Sequence, residues 1–310
     1  MQHVFKLAAV AALCASAAAH AGVGFDANLE TNTDFRKKIT TPGSERDSIS
    51  NGGRVEINAA GEVKNGDYFV KARGTMLVGL TGDGVSIDDA WVQAGSSSVD
   101  LKVGRFEAMD LFPLGKDVAA NIGNVGYNGN TLRGRMKDGR LHAALGLNAS
   151  PAVRFELGLI TERQPRAAAA GSDVASYGLR PVVQFNTGAL TVRAGVESIK
   201  ADGGGASSTG LGLTAGYAMN SSTTINANFA SNSKQDRSSF GLNATFGDAG
   251  VGFIQGKNKA TNVKSTSVYA AYSFSLLGIK GASITPALGF YKETGKSNDT
   301  AFRVRINYAF

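Results

Sequence analysis

The sequence predicts an all-β protein: a transmembrane antiparallel up-and-down β-barrel of sixteen strands, with a long third loop folded into its lumen. Three observations carry this expectation. Segments of roughly ten residues alternate between apolar and polar side chains, short turns take turns with longer loops between them, and aromatic residues gather near the segment ends.

Composition narrows the class first. With 43% hydrophobic and 18% charged residues the chain can bury a core, so a disordered protein is excluded. Glycine is over-used, 40 of 310, yet it shows no every-third-residue period and there are only 6 prolines, which excludes collagen and Pro-rich linkers. The single cysteine, Cys14, excludes a disulfide framework and a multi-cysteine metal site. The net charge of +7 comes without any Lys/Arg-rich run, so no nucleic-acid partner is expected.

Residues 1–21 read as a signal peptide that is removed. One charge lies in Met1–Lys6, an apolar stretch follows from Leu7 to Ala19, and Ala19-His20-Ala21 has the small-x-small cleavage pattern, leaving Gly22 first. The apolar stretch is too short to span a bilayer. Ala11 and Leu13 do not give Cys14 the surroundings of a lipidated cysteine. Residues 22–310 then form a single domain without any apolar run long enough for a transmembrane helix.

Period two dominates that domain. Val55, Ile57, Ala59, Gly61 and Val63 share one face against Arg54, Glu56, Asn58 and Glu62. Leu190, Val192, Ala194 and Val196 oppose Thr191, Arg193 and Glu197, and Phe302, Val304, Ile306, Tyr308 and Phe310 oppose Arg303, Arg305 and Asn307. Charges confined to one face suit a strand with lipid on one side and water on the other, although a soluble sandwich alternates in the same way. The pattern places strands near 23–31, 53–63, 67–78, 86–95, 98–106, 140–148, 152–161, 176–186, 189–199, 209–219, 223–231, 238–246, 250–257, 265–275, 282–292 and 300–310.

Connections such as Lys64-Asn65-Gly66, Thr187-Gly188 and Gly247-Asp248-Ala249 are short, whereas 32–52, 107–139, 162–175 and 200–208 are longer. Short periplasmic turns facing longer external loops are expected of an outer-membrane barrel. The stretch 131–137 is also strand-like. An odd count would put the chain ends on opposite sides, so it is assigned to the third loop. Pro181 and Pro286 fall inside strands, where each removes a ladder hydrogen bond.

Aromatic placement separates barrel from sandwich. Phe185, Tyr217, Phe246, Phe274, Tyr308 and Phe310 end even-numbered strands on the apolar face. Tyr177, Phe240 and Phe302 begin even strands, and Phe229 and Phe290 end odd ones. Two belts at interfacial depth are a membrane feature.

The chain closes on Tyr308-Ala309-Phe310, which resembles the last strand of bacterial outer-membrane proteins. The segment from Gly104-Arg105-Phe106-Glu107 through Asp110-Leu111-Phe112-Pro113 to Lys116-Asp117 resembles the start of the constriction loop of porins, above all raffinose-type glycoporins. The resemblance implies a trimeric outer-membrane channel of a Gram-negative bacterium. It also implies assembly by the barrel-assembly machinery reading Phe310, with membrane lipid and lipopolysaccharide around the barrel.

Sixteen tilted strands leave a channel wider than side chains fill, so a constriction must do any selecting. Folded inward, loop 107–139 would turn Glu107, Asp110 and Asp117 toward basic residues on inward strand faces: Arg54, Lys71, Arg73, Arg140, Arg154, Arg180, Arg193, Arg303 and Arg305. Opposed charges across a narrow pore favour small polar solutes, and the excess of wall cations implies mild anion preference. Phe106, Phe112, Tyr127 and Trp91 could stack on a pyranose face or anchor the loop. Asn121, Asn124, Asn128 and Asn130 could bind hydroxyls or serve tight turns.

The expected function is passive diffusion of small hydrophilic solutes, sugars and oligosaccharides among them. A general, weakly anion-preferring channel is the alternative, and a barrel enzyme or adhesin the second. Of the three histidines only His142 lies beyond the signal peptide, with Ala144 at the neighbouring lumen position. There is no Gly-x-Ser-x-Gly, His-Glu-x-x-His or P-loop, so no catalytic residue is assigned. Asp83, Asp88 and Asp89 lack the oxygen-ligand spacing of a calcium loop, and neither metal nor cofactor is expected.

Overall fold

The computed structural model describes residues 22–39, 45–82, 84–116, 133, 140–164, 174–201, 207–233, 236–296 and 298–310. The expected signal peptide, Asp83, Asp117, Tyr127 and the four loop asparagines lie outside them, as does the side chain of Arg140. Seventeen strands follow in chain order. They are β1 (Gly24–Ile39), β2 (Glu45–Asn65), β3 (Tyr68–Gly79), β4 (Val85–Gly95), β5 (Val99–Arg105), β6 (Arg140–Ser150), β7 (Val153–Gln164), β8 (Val174–Thr187) and β9 (Leu190–Ala201). The second half comprises β10 (Ser208–Asn220), β11 (Thr223–Asn232), β12 (Arg237–Phe246), β13 (Ala249–Asn258), β14 (Lys264–Tyr272), β15 (Phe274–Ser275), β16 (Ala282–Glu293) and β17 (Asp299–Ala309).

Apart from β14 and β15, which both pair with β16, each strand pairs antiparallel with its sequence neighbours, and β1 pairs with β17, so the sheet closes on itself. Closure satisfies every edge, which a membrane requires because lipid offers no hydrogen bonds. The last residue takes part: Phe310 N donates to Ala27 O and Ala27 N to Phe310 O, each at 2.9 Å. The two-residue turns after β8 and β12 open on Gly188 and Gly247 at φ of 54° and 58°, where other side chains are strained.

The expected sixteen strands are present as sixteen staves, because β14 and β15 form a single one. Their pairings with β16, Ala271 with Ala287 and Phe274 with Ile284, keep one register across the break. Pro286 lies between those partners and has no N–H to give, so the ladder lapses there. Ser273 and Thr285 bridge the gap through their hydroxyls at 2.7 Å. Pro181 does the same between β8 and β9, where pairing stops at Leu179–Ser198 and resumes at Val182–Gly195.

One expectation is corrected. Residues 32–52 read as a loop, whereas β1 runs on to Ile39 and β2 begins at Glu45. Thr31, Thr33 and Asp34 carry no lipid signal, yet they remain paired with β2 and β17. Apolar alternation marks where a strand touches lipid, and backbone pairing continues beyond that depth.

Outward residues are apolar and exposed: Leu145, Leu159, Leu213, Leu242 and Val268 among many. Two belts of exposed aromatics bracket them. Phe25, Phe155, Phe185, Tyr217, Phe246, Tyr272, Phe274 and Phe310 lie at the short-turn end, and Phe35, Tyr177, Phe229, Phe240, Phe290 and Phe302 toward the long-loop end.

Candidate functional site

From Arg105, where β5 ends, residues 106–116 of the third loop run along the inner wall. The first of these, Phe106, stacks on His142 of β6 with ring centroids 4.1 Å apart and planes 10° apart. His142 Nδ1 lies 3.4 Å from Phe106 O, and the imidazole is sealed at 1% exposure. That places His142, the one histidine among the described residues, in the loop's foundation. Lys102 Nζ stands 3.8 Å over the Trp91 ring and 4.5 Å over Phe106.

Farther along, Met109 N donates to Glu156 Oε1 at 3.0 Å, and Arg180 Nη2 donates to Met109 O at 2.7 Å. Arg180, fully buried, also sits 3.6 Å from Glu156 and 3.8 Å from Glu197. Pro113 O then accepts from both Asn228 and Asn243, at 2.8 and 2.7 Å, and Leu114 O from the Tyr269 hydroxyl at 2.8 Å. Lys116 Nζ reaches Asp248 O in the turn after β12. The loop thereby spans the wall from β6 to β14.

A groove of missing side chains receives it. A Cβ on Gly212 would lie 2.6 Å from Leu111 Cβ, one on Gly195 2.7 Å from Leu111 Cδ1, one on Gly241 2.8 Å from the Phe112 ring and one on Gly250 2.4 Å from Lys116 Cβ. Gly195 pairs directly with Gly212, and Gly212 with Ala230. Phe112 packs with Ala230, Ile254 and Tyr269, and Phe106 with Ala108 and Ala144. Both loop phenylalanines are under 3% exposed, so they anchor the loop and present no face to a solute.

The acidic loop residues meet a partner the sequence reading did not single out. Arg133 contacts Glu107 at 3.0 Å and Asp110 at 3.5 Å, while its backbone carbonyl accepts from Ala108 N at 2.7 Å. Asp110 additionally accepts from Phe112 N at 2.9 Å, closing a tight turn. Glu107 and Asp110 therefore sit on the loop in a small ion cluster.

The predicted basic wall divides into two groups. Arg154, Arg180 and Arg193 lie on the loop-covered side. Arg54, Lys71, Arg73, Arg303 and Arg305 lie on β2, β3 and β17, outside the span that residues 106–116 cover, interleaved with carboxylates. Arg54 is 3.5 Å from Glu56, Lys71 3.2 Å from Glu62, Arg73 3.6 Å from Asp89, Arg303 2.8 Å from Asp34 and Arg305 3.3 Å from Glu30. Arg36 and Asp299 add a further pair. Inward acids at Glu30 and Glu56 were readable from the same period-two pattern, whereas Asp34 and Asp299 fall in segments read as loops, and only the register shows which cation each one meets. The glycine seat also has a sequence signal: Gly195, Gly212, Ala230, Gly241, Gly250 and Ile254 break the polar habit of lumen-facing positions.

Among the described residues no His, Cys, Asp and Glu group could hold a metal ion. A family model described as the porin-like glycoporin RafY matches residues 19–151. Solved structures of variants of the Rhodopseudomonas blastica porin share the fold over 93% of this chain and 100% of theirs. Two of them have a TM-score of 0.61 at 15% and 16% identity, and a third 0.59 at 16%. No curated protein matches the chain.

Proposed function

Because this chain is a β-barrel of the porin type, we propose that it is a passive diffusion channel of the outer membrane for small hydrophilic solutes, sugars and oligosaccharides among them. The observation that carries this reading is the loop's seat. Residues 106–116 are fixed to the wall from β6 to β14, so the path beside the loop is bordered by β16, β17 and β1–β4 with their alternating charges. Paired guanidinium and carboxylate groups offer donors and acceptors side by side, which suits hydroxyl-bearing solutes. Solutes move down their gradients and no bond is made or broken.

The short-turn end, where both termini lie, then faces the periplasm. Phe310, exposed beside Ala27, is the residue offered to the assembly machinery, and lipopolysaccharide and phospholipid surround the aromatic belts. A homotrimer accounts for the one sector without a belt. From β2 to β6 the outward aromatic is Tyr68 alone, as expected where a protein neighbour replaces lipid.

Single-channel recording in planar bilayers tests the reading. Stepwise conductance that closes in thirds is expected, with saturable block by raffinose, sucrose or maltose. Steps without block would leave a general, weakly anion-preferring channel, and silence would return the barrel to the enzyme or adhesin class, with His142 the first residue to change. Charge on the loop has its own expected outcome. Replacing Asp110 and Asp117 by Asn removes negative charge and leaves Arg133 less compensated, so the reversal potential in a salt gradient shifts toward anions. An unchanged potential would mean that these residues do not border the ion path.

A further inference from the structure

Below the loop, toward the short-turn end, the lumen wall carries two cavities that share one hydrogen-bonded partition. The larger, about 480 Å³, lies over the turn between β6 and β7 and includes Asn148, Arg154, Gln184 and Asn186. The smaller, about 260 Å³, has Pro113 of the loop on its border and includes Thr191 and Arg193. The larger falls within the roughly 300–1,000 Å³ usual for small-molecule sites.

The polarity of the partition is dictated by its guanidiniums, which can only donate. Arg193 Nε donates to Gln184 Oε1 at 2.7 Å, which fixes that amide's oxygen toward the arginine. Gln184 Nε2 must then point the other way, and it donates to Asn186 Oδ1 at 3.3 Å. Thr191 gives a second hydrogen bond to the same oxygen at 3.0 Å. Asn186 has spent its acceptor and is left with its NH₂, which has no protein partner among the described residues. The same logic runs on the other side of the cavity. Arg154 Nη1 donates to Asn148 Oδ1 at 2.8 Å, and the Asn148 amide donates to Ser97 O at 2.7 Å. The nearby carboxylate, Asp100, is 2.8 Å from Arg154 and also accepts from Gln93.

Every side-chain oxygen of these amides is thus occupied within the wall, while the Arg154 guanidinium and the Asn186 amide border the larger cavity and the Arg193 guanidinium the smaller. A surface rich in donors and poor in acceptors selects a ligand of the opposite kind. We propose that this shelf is a solute subsite on the exit side of the constriction, for a sugar bearing a carboxylate, a uronic or aldonic acid, in preference to a neutral sugar. The proposal rests on the channel reading above and adds the ligand class and the place of binding.

The test compares sodium galacturonate with galactose as blockers of single channels. Galacturonate is expected to interrupt the current at lower concentration, with saturation. Asn186→Asp, which replaces the free donor by an acceptor of the same shape, is expected to raise the half-blocking concentration about tenfold, the worth of one charge-assisted hydrogen bond. Gln184→Glu keeps the contact with Arg193 but loses the N–H that orients Asn186, and weakens block in the same direction. Asn186→Gln, which retains an amide, recovers part of it. Stepwise conductance with equal block by both sugars, or block by galacturonate that neither variant changes, overturns the subsite while leaving the channel intact. Absence of conductance in the unaltered protein overturns the channel reading itself.

Discussion

Arg180→Met frees the third loop from the wall into the lumen, and the open-channel conductance falls. Arg180 is fully buried under the loop, holds Met109 O, and lies between Glu156 and Glu197, the latter only 2% exposed. Removing the cation leaves two carboxylates beneath a covering they cannot share with water. Losing one partner of a buried ion cluster costs about 3–5 kcal/mol, because the remaining charge is uncompensated. The least costly response is for the loop to lift and admit water. The barrel itself does not depend on this contact, since the ladders on either side of β8 are backbone pairings. Arg180→Lys is expected to give a smaller fall, keeping the charge but not the planar fork. Adding Glu156→Gln and Glu197→Gln to the methionine variant should bring the conductance back toward its original value. If Arg180→Met conducts like the parent, the loop is held without it.

Gly212→Leu produces the second large effect by steric means alone. A Cβ at this position already lies 2.6 Å from Leu111 Cβ, and the directly opposite residue is Gly195, whose own Cβ would meet the same leucine. A larger side chain there must push Leu111 or the wall aside. Overpacking typically costs about 1–3 kcal/mol, and here it falls on the loop, the one neighbour free to move inward. A displaced loop narrows the path, so conductance is expected to fall here as well. Leu111→Ala in the Gly212→Leu background makes room for the new side chain and restores conductance. A double-mutant cycle on these two positions measures the coupling. Additive effects at 111 and 212 would show that the glycine row is not the loop's seat.

These two variants separate the forces that hold the constriction: charge under the loop's first half and shape under its middle. A third anchor, Asn228 and Asn243 on Pro113 O, is neutral and short-ranged. Arg193 connects the loop to the shelf below, giving its Nη1 to Asp110 O at 3.4 Å and its Nε to Gln184. Loop position and solute binding are therefore mechanically joined through one side chain, and variants of Arg193 are expected to alter both readouts together.

The chain's own order of residues determined the barrel. Alternation with period two set which side chains face lipid, aromatics at segment ends set the depth, and the even strand count followed from both termini lying at one rim. That information is local, since each strand needs only its own face and its own turn. Where the sequence reading stopped short, at residues 32–52, the reason is that hydropathy reports lipid contact while strand pairing extends past the lipid. The split stave is of the same kind: Pro286 was visible as a defect, but its effect falls on residues 271–274 of another strand.

The site was decided by the tertiary structure. Inward arginines were legible from period two, yet the closeness of Arg303 to Asp34 and of Arg305 to Glu30 depends on the register between the first and last strands, which are separated by almost the whole chain. The loop's course depends on side chains that are absent: a row of glycines becomes a groove only when β9, β10, β12 and β13 are placed side by side. Likewise the free amide of Asn186 follows from Arg193 orienting Gln184 across two strands. Lipid is the same for every strand, so its imprint can be read one strand at a time. A constriction is made of pairwise contacts between distant strands and a loop, and these come into being only when the barrel closes.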